Sequence, residues 1–218
     1  MKVQDGPKTS NDAEPGSQEG LRKSAQPLTF TLGNIKTAMP ELIVKSPVEC
    51  TSFEIGAFMA FVRAGGEVST QGLPERIRGA AALAFARVDG LVVGVAALKQ
   101  PQASYRRRVS TESGAALSAQ EFPFELGWVY VSPELRGKGF SFLLSQAALA
   151  ESNAAGVFAT SRTDNIAMHR SLAKLGFEAT GNPFVSGRGK HSLQVFSRHA
   201  AQPGIQEGLA QKRASPLI

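Results

Sequence analysis

The sequence predicts a mixed α/β fold, a mixed sheet with helices layered on its two faces. Three observations point there. Short apolar stretches of period two alternate with stretches of helical period, so strands and helices interleave along the chain. Asp89-Gly90 joins two apolar runs, the strongest short signal for an antiparallel hairpin. Phe124–Val131 alternates and is rich in aromatic and β-branched residues, as a strand should be. It is followed by Leu135-Arg136-Gly137-Lys138-Gly139-Phe140-Ser141, then by residues 142–150 with Leu143, Leu144, Ala147 and Ala148 on one helix face. That unit reads strand, glycine turn, helix.

Taken in order, residues 1–27 hold many Gly, Pro, Ser and charged residues and almost nothing to bury, the composition of a disordered polar tail. A domain is expected over 28–199, with 200–218 tail-like again. Residues 28–32 alternate cleanly and predict a first strand. Residues 42–44 are a second extended piece whose pairing is open. Ser46-Pro47-Val48-Glu49 has the form of a helix start: Ser46 can cap, Pro47 suits the first helical position and Glu49 can close a capping box. Phe53, Ala57, Phe58, Phe61 and Val62 predict the buried stripe of that helix, and Gly65-Gly66 its end. Residues 67–79 are polar and mixed, with no assignable period.

The hairpin strands are expected over 80–88 and 91–98. The stretch 99–123 is long, polar and serine-rich, and reads as a loop. It directly precedes the strand that leads into the glycine turn, so it could form one wall of a substrate site. Beyond residue 150, a strand is expected over 156–160. Asp164 or Asn165 then caps a helix whose buried face is Met168, Leu172 and Leu175, ended by Gly176. Short strands over 177–180 and 192–197 complete the domain. No internal repeat is visible.

At 218 residues the chain suits one domain with tails. A single cysteine, Cys50, excludes an internal disulfide framework and a cysteine-rich metal site, and the three histidines lack zinc spacing. No metal is expected. No apolar run approaches the roughly 20 residues that span a bilayer, and the first residues lack the apolar core of a signal peptide. The expectation is a cytoplasmic protein without a membrane partner. The net charge of +6 suits nucleic acid, an anionic cofactor or an acidic partner. Arg106-Arg107-Arg108 is the one dense basic run and reads first as a solvated loop. Only Tyr105 is interleaved with it, which argues against nucleic acid.

The glycine turn carries chemistry. Glycines allow left-handed backbone angles and close approach of another molecule. The first amides of the following helix lack partners within it and lie at the positive end of its dipole, a natural phosphate site. Arg136 and Lys138 add positive charge. The stretch is read as a pyrophosphate cradle; the alternative is a turn that merely joins two elements. It is not a nucleotide P-loop, and Phe142 excludes the dinucleotide fingerprint.

With these elements in place the chain resembles the GNAT family of acyl-CoA N-acyltransferases. The family motif [RQ]-x-x-G-x-[GA] reads here Arg136-Gly137-Lys138-Gly139-Phe140-Ser141, with Ser141 a mild departure at its last position. The second motif, an asparagine and then a helix ending in K-x-G-F, is matched by Asn165 and Lys174-Leu175-Gly176-Phe177. The likeness spans about residues 28–198. It implies a twisted, mostly antiparallel sheet and an acetyl-CoA-dependent N-acetyltransferase acting on a primary amine of a small molecule or protein. It further implies that the backbone around Arg136, Gly137, Lys138, Gly139, Phe140 and Ser141 holds the pyrophosphate. Val129, Tyr130 and Val131 would pair with the pantetheine arm, and the Val129 amide would polarise the thioester carbonyl. Asn165 would lie beside that arm or serve only as a helix cap. Glu125 stands where one branch of the family has its catalytic base, its pKa raised by burial; the alternative is a strand-edge carboxylate with an ion-pair partner. The family's tyrosine, the usual proton donor to the leaving thiolate, is replaced by Leu172. This leaves Tyr130, water, His169 or no acid, and raises a catalytically impaired acyl-CoA-binding module as the alternative function. A homodimer is left open.

Overall fold

The computed structural model describes residues 39–201. The expected strand over 28–32 and the tails over 1–27 and beyond Ala201 lie outside the described residues. Among the described residues seven strands form one sheet: β1 Glu41–Lys45, β2 Ala82–Val88, β3 Leu91–Lys99, β4 Phe124–Val131, β5 Val157–Arg162, β6 Glu178–Val185 and β7 Ser192–Arg198. Their order is β1-β2-β3-β4-β5-β7-β6, antiparallel throughout except where β4 meets β5. Among the described residues five α-helices accompany them: α1 Ser52–Ala64, α2 Leu73–Arg78, α3 Ala103–Ser113, α4 Phe140–Ala150 and α5 Ile166–Lys174.

Local chemistry explains most of these elements. Asp89 and Gly90 both take positive φ, 51° and 76°, the turn that matches strand twist in a tight hairpin. The undecided piece at 42–44 is β1, paired antiparallel with β2, Leu42 opposite Ala86 and Val44 opposite Ala84. Gly176, at φ 82°, ends α5 as expected.

The helices divide between two faces. Leu83, Phe85, Val95 and Ala97 pack with Phe58 and Val62 of α1 and Leu73 and Ile77 of α2. Val109 of α3 packs with Phe122, Phe158, Phe184 and Val195 in a second core. Register puts both cores on one face: Lys99, in phase with Val95 and Ala97, opposes Glu125, and Glu125 opposes Phe158. On the other face, α4 sits so close to β3 that a Cβ on Gly94 would lie 3.0 Å from Leu144 Cδ1. There α5 packs beside α4, its His169 ring 4.8 Å from that of Phe196.

Three expectations are corrected, and one stretch left unassigned is filled. Ser46 does not start a long helix: Pro47–Glu49 is one 3-10 turn, and Thr51, which accepts from the Glu54 amide, caps α1. Its inner line is Glu54, Phe58 and Val62, while Phe53 is 81% exposed. The unassigned stretch 67–79 contains α2. The expected loop 99–123 contains α3, whose buried residues are Arg106, Val109 and Ser113. Two of those three are polar, so no apolar period announced the helix.

The sheet breaks register in three places, between β2 and β3, between β3 and β4, and between β6 and β7, and the break on β4 bears on how that strand meets β5. Along β4, Gly127 opposes Ala97 and Tyr130 opposes Val95, leaving Trp128 and Val129 against Ala96 alone. Trp128 takes φ 52°. Such a bulge bends the strand and increases its twist. The parallel ladder to β5 runs only from Phe124 to Leu126. Beyond Leu126, β4 and β5 part.

Candidate active site

The parting of β4 and β5 lies in a cleft of about 1360 Å³. The cleft continues between α1–α2 and α3 on the face that carries the two cores. Its lining includes the start of α4, the bulge of β4, the ends of β5, Tyr105 and Arg108 of α3, and residues 186–188 of the β6–β7 connection.

At one end is the glycine turn. Gly137 and Gly139 take φ 77° and 83°, a region that side-chain-bearing residues rarely adopt. Gly139 is the N-cap of α4, and no side chain caps that helix. A Cβ built on either glycine meets nothing within 4 Å, so there is open space before the helix amides. Arg136 is held beside them, its Nε donating to the Val131 carbonyl at 3.1 Å and its guanidinium 5.2 Å over the Tyr130 ring. An uncapped helix start, empty space and a fixed cation fit an anion such as a pyrophosphate.

At the middle is Glu125, 2% exposed. Its Oε2 is 2.7 Å from Lys99 Nζ. Its Oε1 accepts from the Tyr105 hydroxyl at 2.9 Å and from Thr160 Oγ1 at 3.3 Å. Burial, reinforced by the Glu125 charge, pushes the Tyr105 phenol well above its ordinary value, so it stays a donor. Lys99 lies across Gly127, where a Cβ would be 2.8 Å from Lys99 Cε, and its ammonium is 5.2 Å over the Trp128 ring.

Of the residues singled out in the sequence, Glu125, Val129, Tyr130, Val131, Arg136, Gly137, Gly139, Phe140, Ser141 and Asn165 line the cleft. Lys138 is exposed and is not in the lining. Asn165 does cap α5, its Oδ1 accepting from the Met168 amide at 3.1 Å, and it lines the cleft as well. Glu125 is an ion-paired carboxylate, as the second sequence reading had it, but it is buried in the cleft floor and not at a sheet edge. Leu172 is 0% exposed, a core residue. His169 turns away: its Nε2 is 2.9 Å from the Arg162 carbonyl and it is not in the lining.

Sequence reasoning missed Lys99, Tyr105, Trp128 and Thr160. Lys99 was findable, since it is the residue opposite Glu125 once the hairpin and β4 are aligned. Tyr105 was hidden with α3. The basic run 106–108 is helical and not a solvated loop. Arg106 is buried and donates to the carbonyls of Phe122 and Pro123, Arg107 faces solvent, and Arg108 reaches the cleft.

The sequence model of the acetyltransferase (GNAT) family matches residues 61–177. No curated protein sequence matches the chain. Among solved structures it is similar to a ribosomal-protein-alanine N-acetyltransferase from Brucella melitensis, at 20% identity and TM-score 0.50, over 72% of this chain and 99% of that one. It is similar to YncA of Salmonella typhimurium, solved with its cofactor acetyl-CoA, at 17% identity and TM-score 0.51, over 77% and 99%. A GNAT-family acetyltransferase from Streptococcus agalactiae gives 14% identity and TM-score 0.53, over 74% and 96%. At these identities the likeness is one of fold.

Proposed function

Because the chain belongs to the acetyltransferase (GNAT) family, we propose that it transfers an acetyl group from acetyl-CoA to a primary amine. The observation that carries this reading is the bulge at Trp128 and Val129. It takes β4 off β5 within one cleft that holds both the uncapped start of α4 and the buried carboxylate of Glu125.

Acetyl-CoA, when bound, supplies the acyl group as an activated thioester. Arg136 and the amides of Gly137, Gly139, Phe140 and Ser141 hold its pyrophosphate, with Lys138 adding charge at the rim. The edge of β4 over 129–131, beyond the reach of β5, pairs with the pantetheine arm, and Asn165 lies alongside. The Val129 amide, in the bulge, donates to the thioester carbonyl and favours charge that develops on its oxygen.

The acceptor must lose a proton. An alkyl amine of pKa about 10.4 is overwhelmingly ammonium at neutral pH. Glu125 receives that proton. Both of its oxygens are engaged in the resting protein, so the incoming ammonium takes the place of Lys99 on Oε2. One cation replaces another, and the buried charge is unchanged. Tyr105 and Thr160 keep the carboxylate oriented through Oε1. The leucine at 172 removes a phenol from α5 but not the reaction: a thiol of pKa about 8.5 leaves as a tolerable thiolate near neutral pH and can be protonated by solvent. No observation favours the impaired binding module.

The test is thiol release from acetyl-CoA over a panel of amines. Turnover is expected with at least one class. Glu125→Gln should lower kcat at least 100-fold with acetyl-CoA affinity unchanged. Tight acetyl-CoA binding with no turnover on any amine would refute transfer, and full activity in Glu125→Gln would refute the role given to that carboxylate.

A further inference from the structure

The acceptor half of the cleft is unevenly charged. Four carboxylates line the whole cleft, and each already has a cationic partner. Glu67 pairs with Arg162 at 3.3 Å and with His191 at 3.2 Å. Asp164 pairs with Arg162 at 2.6 Å, Glu125 with Lys99 at 2.7 Å, and Glu112 with Arg108 at 3.1 Å. Two cationic residues on the acceptor side have no carboxylate partner in the cleft, Arg76 of α2 and Arg188 of the β6–β7 connection.

Arg76 is fixed by backbone: its Nη1 donates to the Gln71 carbonyl at 2.7 Å and its Nη2 to the Ser69 carbonyl at 2.6 Å. Glu75, its chain neighbour, is outside the lining. Burial, and after it the positive charge of Arg188, lowers the Arg76 pKa, so the two guanidiniums act on one another. Arg108 joins them from α3. It sits 5.6 Å over the Tyr105 ring, and a Cβ on Gly187 would be 3.8 Å from its Nη1. Its partner Glu112 is exposed, so that ion pair is weak and exchangeable. Three arginines from three separate elements therefore converge on one wall. Guanidinium forks match the planar oxygens of carboxylate and phosphate.

We propose that the acceptor amine carries an anionic group, a carboxylate or a phosphate, seated by Arg76, Arg108 and Arg188, with its amino end at Glu125. This rests on the acetyl-transfer reading for its chemistry and not for its binding. Such a substrate brings an ammonium to replace Lys99 and an anion to meet the two arginines that no carboxylate of the cleft lining pairs with. A purely cationic amine would bring charge to a wall already positive.

Two measurements test it. The first compares matched acceptors in thiol release: glycine against glycinamide for carboxylate, and phosphoethanolamine against ethanolamine for phosphate. At least one member bearing the anionic group should exceed its partner without that group tenfold or more in kcat/KM, and which pair does so identifies the anion. Arg188→Gln should remove most of that preference through KM. The second follows binding without turnover, by the fluorescence of Trp128, the only tryptophan and a lining residue. The same four compounds are titrated in the presence of CoA. Anionic members should bind at least tenfold tighter, and Arg188→Gln should weaken them by a similar factor. Equal binding of partners with and without the anionic group, or an Arg188→Gln effect common to all four, overturns the proposal. Anion-selective binding with no turnover on any amine would leave this subsite standing and sink acetyl transfer instead.

Discussion

The Lys99–Glu125 pair gives the sharpest energetic expectation. Its charges are 2.7 Å apart, with side chains 16% and 3% exposed. At an effective dielectric of about 20, unit charges at that distance attract by about 6 kcal/mol. Removing both from water costs a comparable amount, so the intact pair is near break-even and its loss as a pair is cheap. Losing one member is not. Lys99→Met leaves a buried carboxylate with only the Tyr105 and Thr160 hydroxyls, and should cost about 3–5 kcal/mol. Glu125→Gln strands the ammonium, but Lys99 is the more exposed partner and can swing towards water, so about 1–3 kcal/mol is expected. The double variant should fall within about 1.5 kcal/mol of the parent, far less than the two single losses together. Urea unfolding of the four proteins at neutral pH measures all the terms. Single effects that simply add, with a coupling energy below about 0.5 kcal/mol, would refute the claim that these groups hold one another in a dry site.

Three further outcomes follow from the same geometry. Glu54, which meets Lys45 at 2.7 Å, Arg87 at 2.9 Å and the Thr51 amide at 2.9 Å, has its pKa lowered from 4.5 to about 2, chiefly by the Lys45 hydrogen bond. Its folded value lies below its unfolded one, so its contribution is present above about pH 4.5 and lost as pH falls towards 2. With Lys45 and Arg87 partly exposed, the advantage of the parent over Glu54→Gln should be only about 1–2 kcal/mol at pH 6 and should vanish by acid titration of the unfolding midpoint. Gly156→Ala would set a Cβ 2.0 Å from the Glu121 carbonyl oxygen and should cost more than about 3 kcal/mol, whereas Gly56→Ala in α1 meets nothing within 4 Å and should stabilise by about 0.5–1 kcal/mol in thermal unfolding. Arg106→Met strips donors from the buried carbonyls of Phe122 and Pro123 and should cost about 2–3 kcal/mol, with Arg106→Lys recovering only part because an ammonium cannot span both.

Much of this architecture was legible because local chemistry and tertiary packing agree in it. The Asp89-Gly90 hairpin, β4, the glycine entry to α4 and the Asn165 cap of α5 each have short-range causes, and each is where those causes put it. What was illegible depends on partners distant in sequence. Helix α3 buries Arg106, acceptable only because Phe122 and Pro123 supply carbonyls for the guanidinium. Binary patterning has no way to see such a helix. The start of α1 misled for the opposite reason: two well-formed capping sequences, Ser46 with Glu49 and Thr51 with Glu54, compete within six residues, and the second wins because Glu54 also gains Lys45 and Arg87. Likewise Glu125 was singled out by position on β4, while its partners came from β3, α3 and β5.

The bulge itself needs a physical cause, since a tryptophan at φ 52° is held against its preference by something on the order of 1–3 kcal/mol. The indole is enclosed on two sides, edge-on to Phe58 with centroids 6.1 Å apart and under the Lys99 ammonium at 5.2 Å. Lys99 reaches that position only because residue 127 is glycine, and it stays there because Glu125 binds it. Were Trp128 to relax into the ladder, it would lose the Phe58 contact and turn Tyr130 off the face where it meets Phe61. The strain is therefore offset by the α1 core on one side and by the buried ion pair on the other. Straightening β4 would also let it continue along β5 past Leu126 and Ala159, closing the gap into which the glycine turn faces. The groups that surround Glu125 and the backbone distortion that gives a ligand access to it are thus the same few residues, Lys99, Gly127 and Trp128, so the site and its entrance are set by one packing solution and not by two.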